Sequence, residues 1–493
     1  MRKSVVEYVA YYAEKTPSKT AVIVNGVRTS YSELFDLVCG YSEFLKKSGV
    51  KKGDIIVTKA AQKLDYVVTY LSVHLSGAVI ASVERNMLAD NMLEIAKKLN
   101  GKYIISSEKF DCGADVEIIE CSDVVETAKA YFTEKGNVEF PLEDDSADIL
   151  FTTGTTGASK GVELSHKALT ATAENLIYGC GYKEDTLMIV PGPLNHANAI
   201  RKIFTTLVNG STVCILNGMM NLKKFYDALD YQDANVSCCL PPAAIRTIFQ
   251  ITQDKISEYA HKIDFIESAT APLPEADKKR LCNLLPDTRL YNNYGSSESA
   301  SVCMYDYNKY PGLQNCVGKA MPNSEIIIVD DNGTEIESSK DKLGLVACKG
   351  DVNMKGYVND PDETSRVLRD GIVYTNDIGY IDDNGFIFII GRKGDVINVG
   401  GLKVAPTEVE SAMLENDIID DCICIGVDDA IVGKALRLLV VINEKADFDP
   451  KELRRFLSTK LESHKVPAQY EQVDHIERTY NGKLNRKHYV DYK

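Results

Sequence analysis

A segment rich in glycine and hydroxyl side chains has the composition of a phosphate-binding loop. Residues 151–163 contain four threonines, one serine, three glycines and Lys160. Glycine lets backbone N–H groups approach a ligand, hydroxyls donate to phosphoryl oxygens, and a lysine adds a compact charge. The spacing is not that of a Walker A loop, because Ser159 and Val162 occupy the positions where that pattern requires glycine. We expect another kind of anion-binding loop, with a flexible linker as the alternative.

Three later segments carry groups that suit the rest of a nucleotide. Residues 292–298 combine an aromatic ring, amides, hydroxyls and a carboxylate. Asp377 is an acceptor suited to ribose hydroxyls, and Arg392, fifteen residues later, offers a fork of donors. Near the C-terminus, Lys483 directly follows a glycine. Each feature alone is typical of a turn or of ordinary packing, so only their combination indicates a site.

The helices and strands that must position these groups are predicted to alternate, as in an α/β protein. Short apolar runs alternate with amphipathic segments of helix length, which indicates buried, largely parallel strands. A strand-like run at 147–151 enters the phosphate loop, and a helix-like segment from Ser165 follows it. Further strands are expected at 21–24, 27–29, 54–57, 78–83, 103–106, 212–216, 236–240 and 289–291. Asn25-Gly26 predicts a hairpin turn, and Ser30 with Glu33 predicts a helix capping box.

The length predicts more than one domain. At 493 residues, the chain exceeds what a single core usually supports. Glycine and aspartate become frequent around residues 377–404. This change in composition indicates a domain boundary. Strands at 422–427 and 437–442 and a helix from Pro450 predict that the last hundred or so residues form a small α+β unit.

Charge and cysteine usage restrict the partners. The net charge of −15 argues against nucleic acid or an anionic membrane. The N-terminal apolar stripe is interrupted by Glu7, so it resembles neither a secretion signal nor a membrane span. Thirteen cysteines occur without any CxxC spacing, which argues against zinc and disulfide frameworks. We therefore expect a cytoplasmic protein with reduced, mostly buried cysteines.

In this order and spacing, the motifs resemble the adenylate-forming superfamily of acyl-CoA synthetases, stand-alone adenylation domains and luciferases. The resemblance covers nearly the whole chain. Its motifs are the phosphate loop, 191–196, the Tyr-Gly-x-x-Glu segment at 294–298, 355–357 with 359–364, the Asp377 segment, 391–392, 401–404 with Glu408, and Gly482-Lys483. Eight ordered motifs make coincidence very improbable.

The resemblance implies a fold and a reaction. It implies a large multi-sheet α/β adenylation domain at 1–391, a hinge at 392–394, and a small mobile α+β domain at 395–493. A carboxylate would attack the α-phosphate of ATP with Mg²⁺ to give acyl-adenylate and pyrophosphate. A thiol, most simply that of coenzyme A, would then displace AMP.

The resemblance also implies roles for individual residues. Lys483 would bridge the carboxylate and the α-phosphate, His196 would gate the acyl pocket, and Glu298 would help to bind Mg²⁺. Asn292 and Tyr294 would contact the adenine, with Ser297 beside them, and Asp377 would bind the ribose. Arg392 would be a further nucleotide contact. The β- and γ-phosphates would be held by the loop residues Thr152, Thr153, Gly154, Thr155, Thr156 and Lys160. Gly401 and Lys403 would lie at the surface that receives the thiol.

Departures from the family pattern refine the expectation. Gly394 replaces the charged residue common at the hinge, and Ser297 replaces a commoner threonine. Residues 268–273 lack the usual paired glycines, because Ala269 and Thr270 stand there. The added atoms should narrow the pocket and favour a small or slender acid. Residues 191–200 contain no aspartate to pair with an ammonium group, so an α-amino acid is not the expected substrate.

The sequence therefore predicts an ATP-dependent acid–thiol ligase that forms acyl-CoA from a small carboxylic acid. The first alternative is an enzyme that loads the phosphopantetheine arm of an acyl carrier protein. A nucleotide-binding homologue without turnover and a phosphotransferase that releases ADP are the others. Retention of Lys483 and Glu298 argues against the inactive homologue, since chemistry needs both and binding alone does not. The acid and the oligomeric state stay open.

Overall fold

The computed structural model of the protein describes residues 2–133, 138–153, 159–400, 402–429, 433–443, 447–478, 484–489 and 492, with the backbone alone at Thr153, Ser159 and Lys403. The helices, in chain order, are α1 Val5–Lys15, α2 Tyr31–Lys47, α3 Leu64–Leu75, α4 Ala89–Leu99, α5 Val124–Tyr131, α6 His166–Cys180, α7 Ala197–Val208, α8 Leu222–Leu229, α9 Pro242–Thr252, α10 Glu275–Leu284, α11 Pro361–Val367, α12 Pro406–Met413 and α13 Pro450–Ser458. Short 3-10 helices span Lys255–Tyr259, Ser463–Lys465 and Arg486–Tyr489.

The strands of the large N-terminal part alternate with these helices. They are β1 Thr20–Val24, β2 Val27–Ser30, β3 Ile55–Lys59, β4 Val79–Val83, β5 Tyr103–Ser106, β6 Glu117–Glu120, β7 Ser146–Thr153, β8 Ser159–Ser165, β9 Leu187–Val190, β10 Thr212–Ile215, β11 Val236–Cys239, β12 Ile263–Ser268, β13 Arg289–Ser296, β14 Ala300–Asp306, β15 Cys316–Ala320, β16 Glu325–Val329, β17 Gly344–Lys349, β18 Gly356–Tyr357, β19 Leu368–Arg369, β20 Ile372–Ile381 and β21 Ile387–Arg392. The C-terminal strands are β22 Ile397–Val399, β23 Leu402–Val404, β24 Ile419–Asp429, β25 Gly433–Ile442 and β26 Gln469–Gln472.

Two sheets build the large part. One contains fourteen strands in the order β16-β17-β20-β21-β15-β14-β13-β12-β11-β9-β10-β1-β2, with β19 beside β20. Its segment from β13 to β1 is parallel, and its other pairs are antiparallel. The second contains seven strands in the order β18-β8-β7-β4-β3-β5-β6 and is parallel from β7 to β6. Buried parallel strands have continuous apolar sequences, and these runs allowed the strands to be predicted from the sequence.

The main core lies between these two sheets. Ile80 and Leu150 come from the seven-stranded sheet, and Val190 and Val213 come from the fourteen-stranded sheet. They join one cluster with buried side chains of α1, α2, α3, α6 and α7. Helix α7 is therefore covered from several sides, so that even its two basic residues are buried.

The C-terminal strands form a separate small unit. The β22-β23 ribbon and the β24-β25-β26 sheet share a core that begins at Ile397 and includes Val404, Leu438 and Leu453. The strands and the helix from Pro450 predicted for this region are present as β24, β25 and α13. The predicted α/β class with a large N-terminal part and a small C-terminal one is confirmed.

Local predictions are confirmed where turn or capping chemistry specified them. β1 and β2 pair across Asn25-Gly26, and Ser30 and Glu33 form the reciprocal capping box of α2. Two predictions were wrong in extent. Much of the phosphate segment is strand, because β7 runs to Thr153 and its partner β8 begins at Ser159. The helix predicted from Ser165 is confirmed as α6, with Ser165 as its N-cap. Residues 292–296 were expected to follow a strand, but they belong to β13 because they pair with β14. The two strands approach closely at Gly295, since a Cβ there would lie 1.7 Å from the Ala300 carbonyl oxygen.

Among the residues described, no helix combines the length and the apolar character that a membrane crossing requires.

Candidate active site

A cleft of about 2940 Å³ separates the large part from the small one. Several predicted site residues line it, namely His196, Asn292, Tyr294, Ser297, Asp377 and Arg392. From the small part, Glu408, Arg478 and Arg486 face the same space. These nine side chains are up to 290 residues apart in the sequence, from His196 to Arg486.

Asp377 joins two other predicted site residues directly. The Tyr294 hydroxyl donates to Asp377 Oδ2 at 2.6 Å, and Arg392 Nε donates to Asp377 Oδ1 at 3.1 Å. Asp377 and Arg392 face each other across β20 and β21. Burial and the nearby Asp377 charge raise the pKa of Tyr294 well above its ordinary value, so the phenol stays a donor. The structure therefore fixes the orientation of this carboxylate through two partners.

Glu298 is held by a second tyrosine. Tyr357 from β18 donates its hydroxyl to Glu298 Oε1 at 2.9 Å. The Ser296 hydroxyl accepts from the backbone N–H groups of Glu298 and Ser299, at 3.1 and 3.0 Å. This small turn presents the carboxylate directly after the cleft residue Ser297.

Lys160 is connected to Glu298 through the side chain of Tyr357, which lies near both. It faces Thr152 across the β7–β8 pair, and its Nζ lies 5.3 Å from the centroid of the Tyr357 ring. Its partner is Glu363 in the first turn of α11, with Nζ 2.5 Å from Oε1. The hydrogen bond from Lys160 lowers the pKa of Glu363. Phosphate oxygens that approach Lys160 must therefore compete with this carboxylate.

These groups fit a magnesium nucleotide. Within the described parts of the chain, no group of three or more histidine, cysteine, aspartate or glutamate side chains could hold a metal ion. Mg²⁺ is commonly held by one or two carboxylates together with substrate phosphates. A single carboxylate at Glu298, close to a cation at Lys160, agrees with that mode of binding.

The expected floor of the acyl pocket has a strained backbone. Ala269 and Thr270 line the cleft, and Thr270 has φ +78°. A β-branched residue rarely adopts this left-handed conformation, which glycine adopts freely. Such strain persists where the surrounding structure fixes the backbone, and it is typical of active sites and ligand-binding sites.

Helix α7 supplies two residues that the sequence analysis missed. Arg201 donates to the carbonyl oxygens of Ser296 and Ser297, at 2.9 and 3.2 Å. Lys202 forms a fully buried ion pair with Glu267 at 2.7 Å. The signal was present, because two consecutive basic residues lie in an otherwise uncharged helix. Glu363 is a third site residue that the sequence analysis did not single out, since it was noted only as part of the motif at 359–364.

Several predicted site residues lie outside the described part of the structure. They are Gly154, Thr155, Thr156, Gly401 and Lys483, together with the side chains of Thr153 and Lys403. The chain on either side of Lys483 is anchored in the small part. Arg478 pairs with Asp421 at 2.8 Å, and Arg486 pairs with Glu410 at 2.6 Å.

The fold and the cleft define an α/β protein in which a large part and a small part line one cleft. Comparison with known families specifies the class. Residues 9–358 match the AMP-binding enzyme family, and residues 408–483 match the AMP-binding enzyme C-terminal domain. The chain belongs to the AMP-binding enzyme family.

Curated relatives and solved structures agree with this assignment. The chain is 26% identical to a long-chain-fatty-acid–CoA ligase of Bacillus subtilis, covering 97% of this chain and 92% of the relative. It is 27% identical to a 2-succinylbenzoate–CoA ligase of Bacillus licheniformis, covering 96% and 97%. The crystal structure of ATP-bound MatB from Rhodopseudomonas palustris has the same fold, with a TM-score of 0.87, 23% identity and full coverage of both chains.

We predict that Thr270→Gly and the double variant with Ala269→Gly shift the acid preference toward bulkier acids. Glycine at position 270 releases a backbone strain of about 1–2 kcal/mol. This gain offsets the entropic cost of glycine, so the free energy of unfolding should hardly change. Room for one methylene should change relative kcat/KM values by about tenfold or more. The measurement is kcat/KM across acids of increasing width, with thermal unfolding alongside.

Asn100→Gly is the matched control. Asn100 also has positive φ, at +55°, but it ends α4 away from the cleft. Its replacement should leave the acid preference unchanged. An identical acid profile in the Thr270 variants and the wild type would refute the narrowing of the pocket.

Proposed function

We propose that this protein uses ATP to activate a small, non-amino carboxylic acid as acyl-AMP, and then transfers the acyl group to coenzyme A. The observation that carries the proposal is the Asp377 carboxylate, held by Tyr294 and Arg392 in a cleft shared by the two domains of an AMP-binding enzyme. The names of its relatives as CoA ligases support the choice of thiol.

In the first step, a carboxylate oxygen bonds to the α-phosphorus, and the bond from that phosphorus to the bridging oxygen breaks. Pyrophosphate leaves with the bonding electrons. Two anions must meet, so the barrier falls when positive charge is preorganised around them. We assign that charge to Lys483 at the α-phosphate and to Lys160, with the hydroxyl groups of its loop, at the departing phosphates. Mg²⁺, when bound with ATP, neutralises phosphate charge beside Glu298.

In the second step, the thiolate attacks the acyl carbon and AMP leaves with the carboxylate oxygen. We assign Gly401 and Lys403 to the surface that receives coenzyme A. Asn292 and Tyr294 contact adenine, Asp377 contacts the ribose, and His196 closes the acyl side. Asp377 accepts one hydrogen bond at each carboxylate oxygen, so each oxygen keeps a lone pair for a ribose hydroxyl.

The two steps use the small domain differently, so we place a hinge at residues 392–394. Two observations support this position. The core of the small domain begins at Ile397, and Arg392 is the last residue of β21. A Cβ built on Gly394 would meet no atom within 4 Å. Packing does not require glycine there, so we attribute its presence to conformational freedom.

The proposed setting is the cytoplasm, where reduced thiols persist. All thirteen cysteines are free in the structure. The net charge of −15 also supports a small-molecule substrate over a nucleic acid.

The test is acid-dependent pyrophosphate release from ATP with Mg²⁺, across short, branched, medium-chain, aryl and amino acids, with and without coenzyme A. AMP and ADP are followed separately. We expect AMP with pyrophosphate, increased by coenzyme A and highest for a small or slender acid. Release that is indifferent to coenzyme A would redirect the search to a carrier protein. ADP would indicate a phosphotransferase, and no release would favour the inactive homologue.

A second prediction concerns Lys483. Because it is assigned to the meeting of two anions, Lys483→Ala should nearly abolish pyrophosphate release. The same variant should still convert supplied acyl-adenylate to thioester at close to the wild-type rate. Single-turnover assays of the two half-reactions provide the measurement, since they separate the steps. Equal losses in both half-reactions would contradict the assignment.

A further inference from the structure

Arg201 is a buried cation that the proposed chemistry does not use. It lies in the second turn of α7 with 7% of its surface exposed. Burial lowers the pKa of Arg201 to about 10, so the side chain is charged at neutral pH. A buried charge is costly unless its environment compensates it. The position of this guanidinium therefore needs an explanation.

The contacts of Arg201 converge on one turn. Its two terminal nitrogens donate to the carbonyl oxygens of Ser296 and Ser297, the two residues before Glu298. From the other side of the same turn, the Ser296 hydroxyl accepts from the Glu298 backbone N–H. The turn that presents Glu298 is thus held at its carbonyl groups by Arg201 and at its N–H groups by Ser296.

Compensating charge comes from two carboxylates that do not touch the guanidinium. Asp148 and Glu298 both stabilise the charged form of Arg201 through space. Asp148 is itself fully buried and is held by Tyr70 at 2.9 Å and by His74 at 2.7 Å. Within the described residues, no carboxylate lies within ion-pair distance of Arg201. Its charge is balanced without occupying the Glu298 carboxylate.

The side-chain hydrogen bonds of Arg201 favour a role at this turn. Each terminal nitrogen donates to a backbone carbonyl oxygen of the turn, and Nε is buried without a hydrogen-bond partner. These contacts point to the orientation of Glu298.

We propose that Arg201 is a positioning residue that fixes the Glu298 turn and thereby sets the affinity of the ATP site for Mg²⁺. The inference rests on the proposed function, because it requires that Glu298 meets the metal of a magnesium nucleotide. Residues that orient a metal ligand typically change metal affinity by about 10–100-fold when they are mutated. Lysine cannot replace arginine here, because it lacks the planar fork that spans two carbonyl groups.

The test measures binding and not turnover. ATP affinity is determined by calorimetry, once with Mg²⁺ and once in EDTA, for the wild type and Arg201→Lys. We expect the gain in ATP affinity caused by Mg²⁺ to fall by about tenfold or more in the variant. Affinity in EDTA should stay within about threefold of the wild type, because the groups assigned to adenine and ribose are untouched.

Arg289→Lys is the matched control. Arg289 also donates to two successive backbone carbonyl oxygens, those of Cys180 and Gly181, at 2.6 and 3.3 Å. That clamp lies away from Glu298, so its loss should leave the Mg²⁺ dependence unchanged. A folded Arg201→Lys with the wild-type Mg²⁺ dependence would overturn the proposal. Equal weakening of ATP binding with Mg²⁺ and in EDTA would overturn it as well.

Ser296→Ala provides a second route if Arg201→Lys does not fold. It releases the Glu298 turn from the other side while Arg201 stays in place. We expect the same selective loss of the Mg²⁺ effect, and a wild-type response would refute the idea that this turn sets metal affinity. If neither ATP with Mg²⁺ nor ATP in EDTA binds to the wild type, the proposed function itself fails, which is a distinguishable result.

Discussion

The Asp377 carboxylate is the contact on which the candidate site depends. It receives a hydroxyl from Tyr294 on β13 and a guanidinium N–H from Arg392 at the end of β21. One side chain therefore links the parallel half of the large sheet, its antiparallel half and the first residue of the proposed hinge. A carboxylate with two fixed donors keeps its direction, which a site for ribose hydroxyls requires.

The rest of the site repeats this principle of mutual pairing. Glu298 is held by Tyr357, and Lys160 is held by Glu363. Each charged group is oriented by a neighbour before any ligand is considered. Such preorganisation lowers the cost of ordering the site around a transition state. The ligand shares these groups with their present partners, so affinity should depend on how well ATP fits beside them.

The sequence predicted the fold class well, because buried strands and capping boxes leave local signals. It predicted the residues that face the cleft for a different reason, since their motifs match a family. It did not predict which of them touch one another. The bond from Tyr294 to Asp377 depends on the register of distant strands, which no local pattern encodes. The pair of basic residues at 201–202 is visible in the sequence, but the contacts of Arg201 are not, because its acceptors are backbone carbonyl oxygens.

The most direct test of acyl-adenylate formation in this cleft follows the oxygen atoms. The acid identified in the panel is labelled with ¹⁸O in both carboxylate positions and is converted with ATP and coenzyme A, and the products are analysed by mass spectrometry. If the carboxylate attacks the α-phosphorus, one ¹⁸O must appear in AMP and one must stay in the thioester. Unlabelled AMP, or ¹⁸O in inorganic phosphate, would contradict the account.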